Sequence, residues 1–322
     1  MSIPGKHTEN GVYEFDYLRK ADTSTNWEKF RKGLWNPETN EILGRTFKSW
    51  GQLFLFYAIF YTVLAALFAI CMYGWMSTLD EHEPKWKLEE SRIGKNPGLG
   101  FRPIPLNFEQ ESLIWYEAQN QTSIKEWTEI LDNFLELYTN NSKLPGGGKN
   151  QQICDFDKPP APGKVCAVDV GNFGPCSPQN GYSYNKSSPC IFVKLNKIYG
   201  WQPEFYNDPD DLPAAMPEEL KAHIRSLPPL QRNQIWVTCE GQDPGDRENL
   251  GSIEYINRGF PSYFYPFTNT QGYLNPLVVV RLLRPNLHMI ISIECRAWAK
   301  NIVYHGGDTF REGSTHFEIM ID

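Results

Sequence analysis

The sequence predicts a single-pass transmembrane helix joined to a large, mainly-β domain that carries one amphipathic helix. Three observations predict it. Residues 49–79 contain no Asp, Glu, Lys, Arg or His. Six of the seven cysteines and all three N-x-[ST] sequons follow that run. From Cys190 onward, short segments rich in Ile, Val, Phe and Tyr alternate with Pro and Gly clusters.

The chain divides at the uncharged run into 1–48, 49–79 and 80–322. Residues 1–48 are polar and mixed in charge, as expected of a tail. Within them 33–46 has more order, with a turn at Asn36-Pro37 and apolar anchors at Leu34, Trp35, Ile42 and Leu43. The apolar core of the run, 53–75, would form a helix of roughly 35 Å, long enough to cross a bilayer with some tilt. Trp50 at one end and Tyr73 and Trp75 at the other suit the headgroup layer. The run starts too late and is too long for a cleaved signal peptide. Arg45 and Lys48 precede it, with Lys29, Arg31 and Lys32 further back, whereas Asp80, Glu81 and Glu83 follow, with Lys85 and Lys87 soon after; the positive-inside rule leans toward a cytosolic head and a type II signal-anchor.

Inside the run, Ala58, Thr62, Ala65 and Ala69 repeat at +4, +3 and +4 and fall on one helical stripe. Small residues let a second helix approach closely. Tyr57 and Tyr61 flank the stripe one turn apart, and phenol hydroxyls in hydrocarbon are costly without acceptors. The stripe is therefore a candidate docking face for another transmembrane helix.

Residues 80–111 read as a connector, because Pro84, Gly94, Pro97, Gly98, Gly100, Pro103 and Pro105 forbid long regular elements. Residues 123–138 carry apolar side chains at helical spacing, with Ser123 and Glu126 as a capping box. Strands are expected at 190–198, 234–240, 252–256, 277–283, 287–295 and 315–321, a series that suggests an antiparallel sandwich. The sequons, at Asn120, Asn140 and Asn185, and Cys154, Cys166, Cys176, Cys190, Cys239 and Cys295 together point to an oxidising compartment. Six thiols allow fifteen pairings, and spacing alone does not choose among them.

No active site can be assembled. Gly146-Gly-Gly-Lys149 lacks the Walker spacing, since Asn150 follows the lysine. Asp208-Pro-Asp210, followed by Asp211, has the DxD form of a metal-dependent glycosyltransferase, but Asp-Pro is itself a turn former. His305-Gly-Gly-Asp308 has no nucleophile elbow beside it. The remaining histidines lack ligand spacing, so neither cofactor nor metal is expected. A net charge of -7 without a basic cluster argues against nucleic acid.

Several blocks, taken in order, are specific. LWNPETNEILGRT (34–46), LFYAIFY (55–61), PCIFVKLNKIYGW (189–201), CEG (239–241), ENLGSIEY (248–255), RGFPSYFYP (258–266) and ISIECRAWAKNI (291–302) closely resemble those of the β subunit family of the Na+/K+-transporting ATPase. The resemblance runs from Gly33 to the C-terminus. It implies an immunoglobulin-like ectodomain sandwich with bridges between sequential cysteines, Cys154–Cys166, Cys176–Cys190 and Cys239–Cys295. It implies a non-catalytic subunit that folds, stabilises and delivers the catalytic α subunit to the plasma membrane and modulates K+ affinity. Partners implied are that α subunit, a small single-span regulatory subunit and membrane lipid. Tyr57 and Tyr61 match the family's membrane tyrosines, which pack on the α subunit. Phe260, Pro261, Ser262, Tyr263, Phe264, Tyr265 and Pro266 match residues that face its extracellular loops. Phe264 and Phe267 stand where family members often carry Tyr, and the first bridge closes a shorter loop than in vertebrate relatives. The alternatives are an adhesion protein acting through its ectodomain, an H+/K+-type pump β subunit, and a luminal glycosyltransferase built on Asp208 and Asp210.

Overall fold

The computed structural model describes residues 6–7, 13–14, 25–36, 39–92, 94–106, 112–306 and 312–322. Two compact units emerge, Met1–Leu79 and Asp80–Asp322. In the first, two-residue strands β1 (Lys6–His7) and β2 (Tyr13–Glu14) pair antiparallel. Helix α1 (Asn26–Leu34) follows, its start closed by a reciprocal Thr25–Glu28 capping box. A small antiparallel meander, β3 (Trp35–Asn36), β4 (Glu41–Ile42) and β5 (Arg45–Thr46), then leads into helix α2 (Phe47–Met76).

Helix α2 is one continuous element, long and apolar enough to cross a membrane, and none of its residues is buried. It begins two residues before the uncharged run and includes Lys48, because the Thr46 hydroxyl caps it by accepting from the Ser49 N–H at 3.4 Å. It stops three residues before the run ends. There the hydroxyls of Ser77 and Thr78 donate to the carbonyls of Gly74 and Trp75.

The second unit holds two main sheets. One is all antiparallel, in the order β12 (Ser252–Asn257), β14 (Val278–Leu283), β10 (Cys190–Leu195), β6 (Leu99–Arg102). The other runs β13 (Gly259–Pro261), β11 (Gln234–Gly241), β15 (Ile291–Trp298), β16 (Ser314–Ile321), β7 (Leu113–Tyr116), and its last pair is parallel. Alternate residues of both sheets enter one apolar core. Phe101 from the first sheet meets Phe317 from the second, ring centroids 5.1 Å apart. The other face of β10 is covered: Phe192 packs against Phe134 of helix α3 (Gln121–Thr139) and against Phe173 and Tyr182. A short parallel pair, β8 (Gln151–Gln152) with β9 (Val165–Cys166), supports the Cys154–Cys166 loop.

The bridges are Cys154–Cys166, Cys176–Cys190 and Cys239–Cys295. Cys239 and Cys295 are register partners on adjacent strands β11 and β15. That bridge therefore lies within one sheet, and the two sheets are held together by the apolar core.

Several expectations need correction. The amphipathic helix starts earlier than 123–138 and is capped by Asn120, whose Oδ1 accepts from the Thr122 N–H at 3.0 Å. Ser123 instead accepts from the Glu117 N–H and makes no cap. It is also not the only helix. Helices α4 (Glu218–Ser226) and α5 (Pro244–Asn249) are too short to show a sustained period, although Leu220 and Ile224 one turn apart bury α4. The connector conceals β6, a strand of four residues flanked by Pro and Gly, with Leu99 and Phe101 facing the core. The strand expected at 287–295 begins at Ile291, because the backbone turns through left-handed conformations at Arg284 and His288.

By loop entropy, the 56-residue separation of Cys239 and Cys295 makes that bridge contribute about 4 kcal/mol, against about 3 kcal/mol for the bridges spanning 12 and 14 residues. Urea unfolding of the full chain in detergent should therefore shift most for the Cys239→Ser/Cys295→Ser double variant.

Candidate functional site

Two surfaces carry the residues singled out in the sequence. The first is α2. Because the helix is unbroken, Ala58, Thr62, Ala65 and Ala69 share one stripe. The Thr62 hydroxyl donates back to the Ala58 carbonyl at 2.7 Å, so it needs no outside acceptor. The rings of Tyr57 and Tyr61 stack 6.0 Å apart at 23°. Their side chains are 46% and 60% exposed, and among the described residues neither phenol has a hydrogen-bond partner.

The second surface belongs to the other unit and surrounds β13. Gly259 is required there, since a Cβ would sit 2.8 Å from Gln234 Oε1 and 3.1 Å from the Ile235 carbonyl. Phe260 is fully buried and Phe264 nearly so. Phe260 therefore points into the domain and cannot itself face a partner, and Phe264 shows only a small edge. They anchor the half-buried Pro261, Ser262, Tyr263, Tyr265 and Pro266. Tyr263 meets Phe156 of the Cys154–Cys166 loop edge-on at 5.3 Å, and Tyr265 meets Trp201 at 6.0 Å. Burial pushes the Tyr265 phenol well above its ordinary range, and its hydroxyl has no partner among the described residues. Phe267 contacts Tyr273 at 4.9 Å, and the Lys197 ammonium lies 5.1 Å from both rings. Burial lowers the Lys197 pKa.

Pro261, Tyr263 and Phe264 help line a groove of about 1010 Å³ that also takes in His223, Trp236 and Arg258. Arg258 bonds Glu219 at 2.7 Å and lies 4.4 Å from the Tyr255 ring centre. A smaller groove of about 420 Å³ joins Asp80, Trp86 and Lys87 to Lys197, Tyr199 and Phe267. The backbone N–H groups of His82 and Glu83 hold the Asp80 carboxyl below its ordinary value. Sequence reading missed these groove walls. Five separate stretches line the larger groove and three the smaller, and no local pattern marks such a meeting.

All three sequon asparagines are exposed. Asn140 Oδ1 accepts from the Ser142 N–H and hydroxyl at 3.2 and 2.6 Å. Asn120 Nδ2 donates to Glu117 at 3.0 Å, which still leaves it one N–H. The groups considered for chemistry are engaged elsewhere. Asp211 pairs with Lys300, Asp208 accepts from the Asp210 N–H, and His305 pairs with Glu312 at 2.9 Å. Asp308 lies outside the described residues. The Gly146–Gly148 segment is a turn with three positive φ angles.

Comparison with known proteins decides what these surfaces belong to. The family model described as the sodium/potassium ATPase beta chain matches residues 20–317. The chain belongs to the sodium/potassium ATPase beta-chain family. It is 48% identical to the sodium/potassium-transporting ATPase subunit beta-2 of Drosophila melanogaster, covering 98% of this chain and 99% of that protein. It is 44% identical to subunit beta-1 of the same organism, covering 96% of each. It is 31% identical to the probable subunit beta-3 of Caenorhabditis briggsae, covering 95% of this chain and 90% of that one. As a beta-chain family member it is a non-catalytic, accessory subunit of the cation pump, and its candidate sites are contact surfaces rather than reaction centres.

One acid-sensitive element sits in the larger groove. Burial and the nearby Arg258 guanidinium lower the His223 pKa below 6.5, opposed by Glu219, while the ring sits edge-on to Trp236 at 5.6 Å. A histidine depressed in the folded state contributes stability above its unfolded pKa, and that contribution is lost as pH falls through the folded value. Melting midpoints at pH 7.5 and 5.5 should therefore differ more for the unmodified chain than for His223→Gln.

Proposed function

We propose that this chain folds, stabilises and delivers a Na+/K+-transporting catalytic α subunit to the plasma membrane, and modulates its K+ affinity. The observation that carries the proposal is α2, a helix whose single charged residue, Lys48, lies in its first turn, with no buried residue and two stacked tyrosines whose hydroxyls have no partner among the described residues. A helix of that kind is completed by another membrane helix that supplies acceptors. In this reading α2 crosses the bilayer once, residues 1–48 are cytosolic, and 80–322 form an extracellular immunoglobulin-like sandwich. Tyr57 and Tyr61 pack on the catalytic subunit beside the stripe of Ala58, Thr62, Ala65 and Ala69. Pro261, Ser262, Tyr263, Tyr265 and Pro266 meet its extracellular loops, held in place by Phe260 and Phe264. Lipid surrounds the remainder of α2, which leaves room for a small single-span regulatory subunit.

Two measurements test this reading. Replacing Tyr57 and Tyr61 by Leu should lower capture of the catalytic subunit in mild detergent by roughly tenfold, about 1.4 kcal/mol. The Phe/Phe variant separates ring packing from hydroxyl bonding, and undiminished capture by both variants would count against the tyrosine pair. Enzymatic deglycosylation should lower the apparent mass on a gel in steps removed one at a time by Asn120→Gln, Asn140→Gln and Asn185→Gln. A chain with no glycan at any of the three would contradict the orientation.

A further inference from the structure

The first unit leaves a second apolar surface uncovered. On α1, Trp27, Phe30 and Leu34 stand at i, i+3 and i+7 and so share one helical face. They are 72%, 60% and 47% exposed, and the Trp27 and Phe30 rings stack 5.8 Å apart. Leu43 and Phe47 add apolar side chains that are 62% and 64% exposed. A patch of this kind on so short a segment marks a membrane or partner contact.

Its position decides which. The Leu43 N–H bonds the Leu34 carbonyl at 3.2 Å, so the end of α1 is tied to the meander. The Trp50 indole N–H donates to the Ile42 carbonyl at 2.8 Å, tying the meander to the first turn of α2. The Trp35 and Phe47 rings meet edge-on at 6.4 Å. Adjacent strands lie about 4.8 Å apart, so three strands hold the end of α1 within about 10 Å of the strand that enters α2. Charge agrees with that placement. Arg31, Lys32, Arg45 and Lys48 are exposed and form no ion pair among the described residues. Glu28 is occupied by the capping box and Glu41 accepts from the Thr39 hydroxyl. Arg31 lies about 70° from the centre of the apolar stripe, where a guanidinium can reach headgroup phosphates while its stem covers apolar surface.

We propose that α1 is an interfacial helix that lies on anionic lipid of the same bilayer that α2 crosses. Trp27, Phe30 and Leu34 insert at the headgroup boundary, and Arg31 at the edge of that stripe holds acidic headgroups, while Lys32 faces away from the surface. The proposal rests on α2 being a membrane span.

Hydrogen exchange by mass spectrometry on the full chain in nanodiscs tests it. Amides of 26–34 should exchange roughly tenfold more slowly in discs containing phosphatidylserine than in phosphatidylcholine alone. Arg31→Ala, which keeps a good helix former, should reduce that difference severalfold, and Lys32→Ala should leave it largely intact. Trp27→Ser with Phe30→Ser should remove protection in both lipids. Equal exchange in the two lipids, or slowing that arises only when the catalytic subunit is co-purified, would overturn the proposal. Amides of 53–75 in the same samples report the span: their rapid exchange in lipid would instead mean that the membrane reading of α2 is wrong.

Discussion

A helix of 30 residues, uncharged beyond Lys48 in its first turn and with no buried side chain, is the constraint on which the rest depends. Water cannot solvate such a surface at acceptable cost, since each large apolar side chain left exposed forfeits about 1.5–3 kcal/mol. A bilayer removes that cost for the aliphatic positions. It does not remove it for the hydroxyls of Tyr57 and Tyr61, which hydrocarbon leaves without acceptors. In the membrane reading proposed above, lipid covers the apolar positions and a neighbouring helix supplies acceptors to the tyrosines; membership of a pump's beta-chain family implies association with its α subunit.

The other features follow from having a span there. The unit Asp80–Asp322 carries every bridged cysteine and every sequon, which is why the proposed orientation puts it outside the cytosol. Its stability is divided between two kinds of contact. Apolar side chains such as Phe101 and Phe317 join the sheets, whereas the Cys239–Cys295 bridge staples neighbouring strands of one sheet. In antibody domains the conserved bridge joins the two sheets; here packing joins them, supplemented by the Tyr255 hydroxyl of β12, which accepts from the Cys239 N–H of β11 at 2.8 Å. That core supports the rim at β13, where buried Phe260 and Phe264 fix half-buried Tyr263 and Tyr265.

What could be read from residues alone was what repeats locally. The uncharged run, the alternation along β16 and the spacing of α3 are local signals, and a helix, a strand and a helix stand there to within a few residues. Strand β6 was hidden because four residues between Pro97 and Pro103 are too few to display a period. The cap at Asn120 was hidden because Ser123 offered an equally good local pattern, and the nearby Glu117 N–H decided between them. The pairing of cysteines came from resemblance, not from spacing. The grooves beside β13 arise from contacts between distant segments, such as Phe156 with Tyr263, which no window of sequence contains.

The central claim is that α2 is a recognition element and not only an anchor. It is tested most directly by replacing 53–75 with an unrelated leucine–alanine span of equal length and measuring surface delivery of the co-expressed catalytic subunit as ouabain-sensitive ATPase activity. The account predicts that delivery falls severalfold while the altered chain itself still inserts and acquires its glycans. Undiminished pump activity at the surface would contradict it.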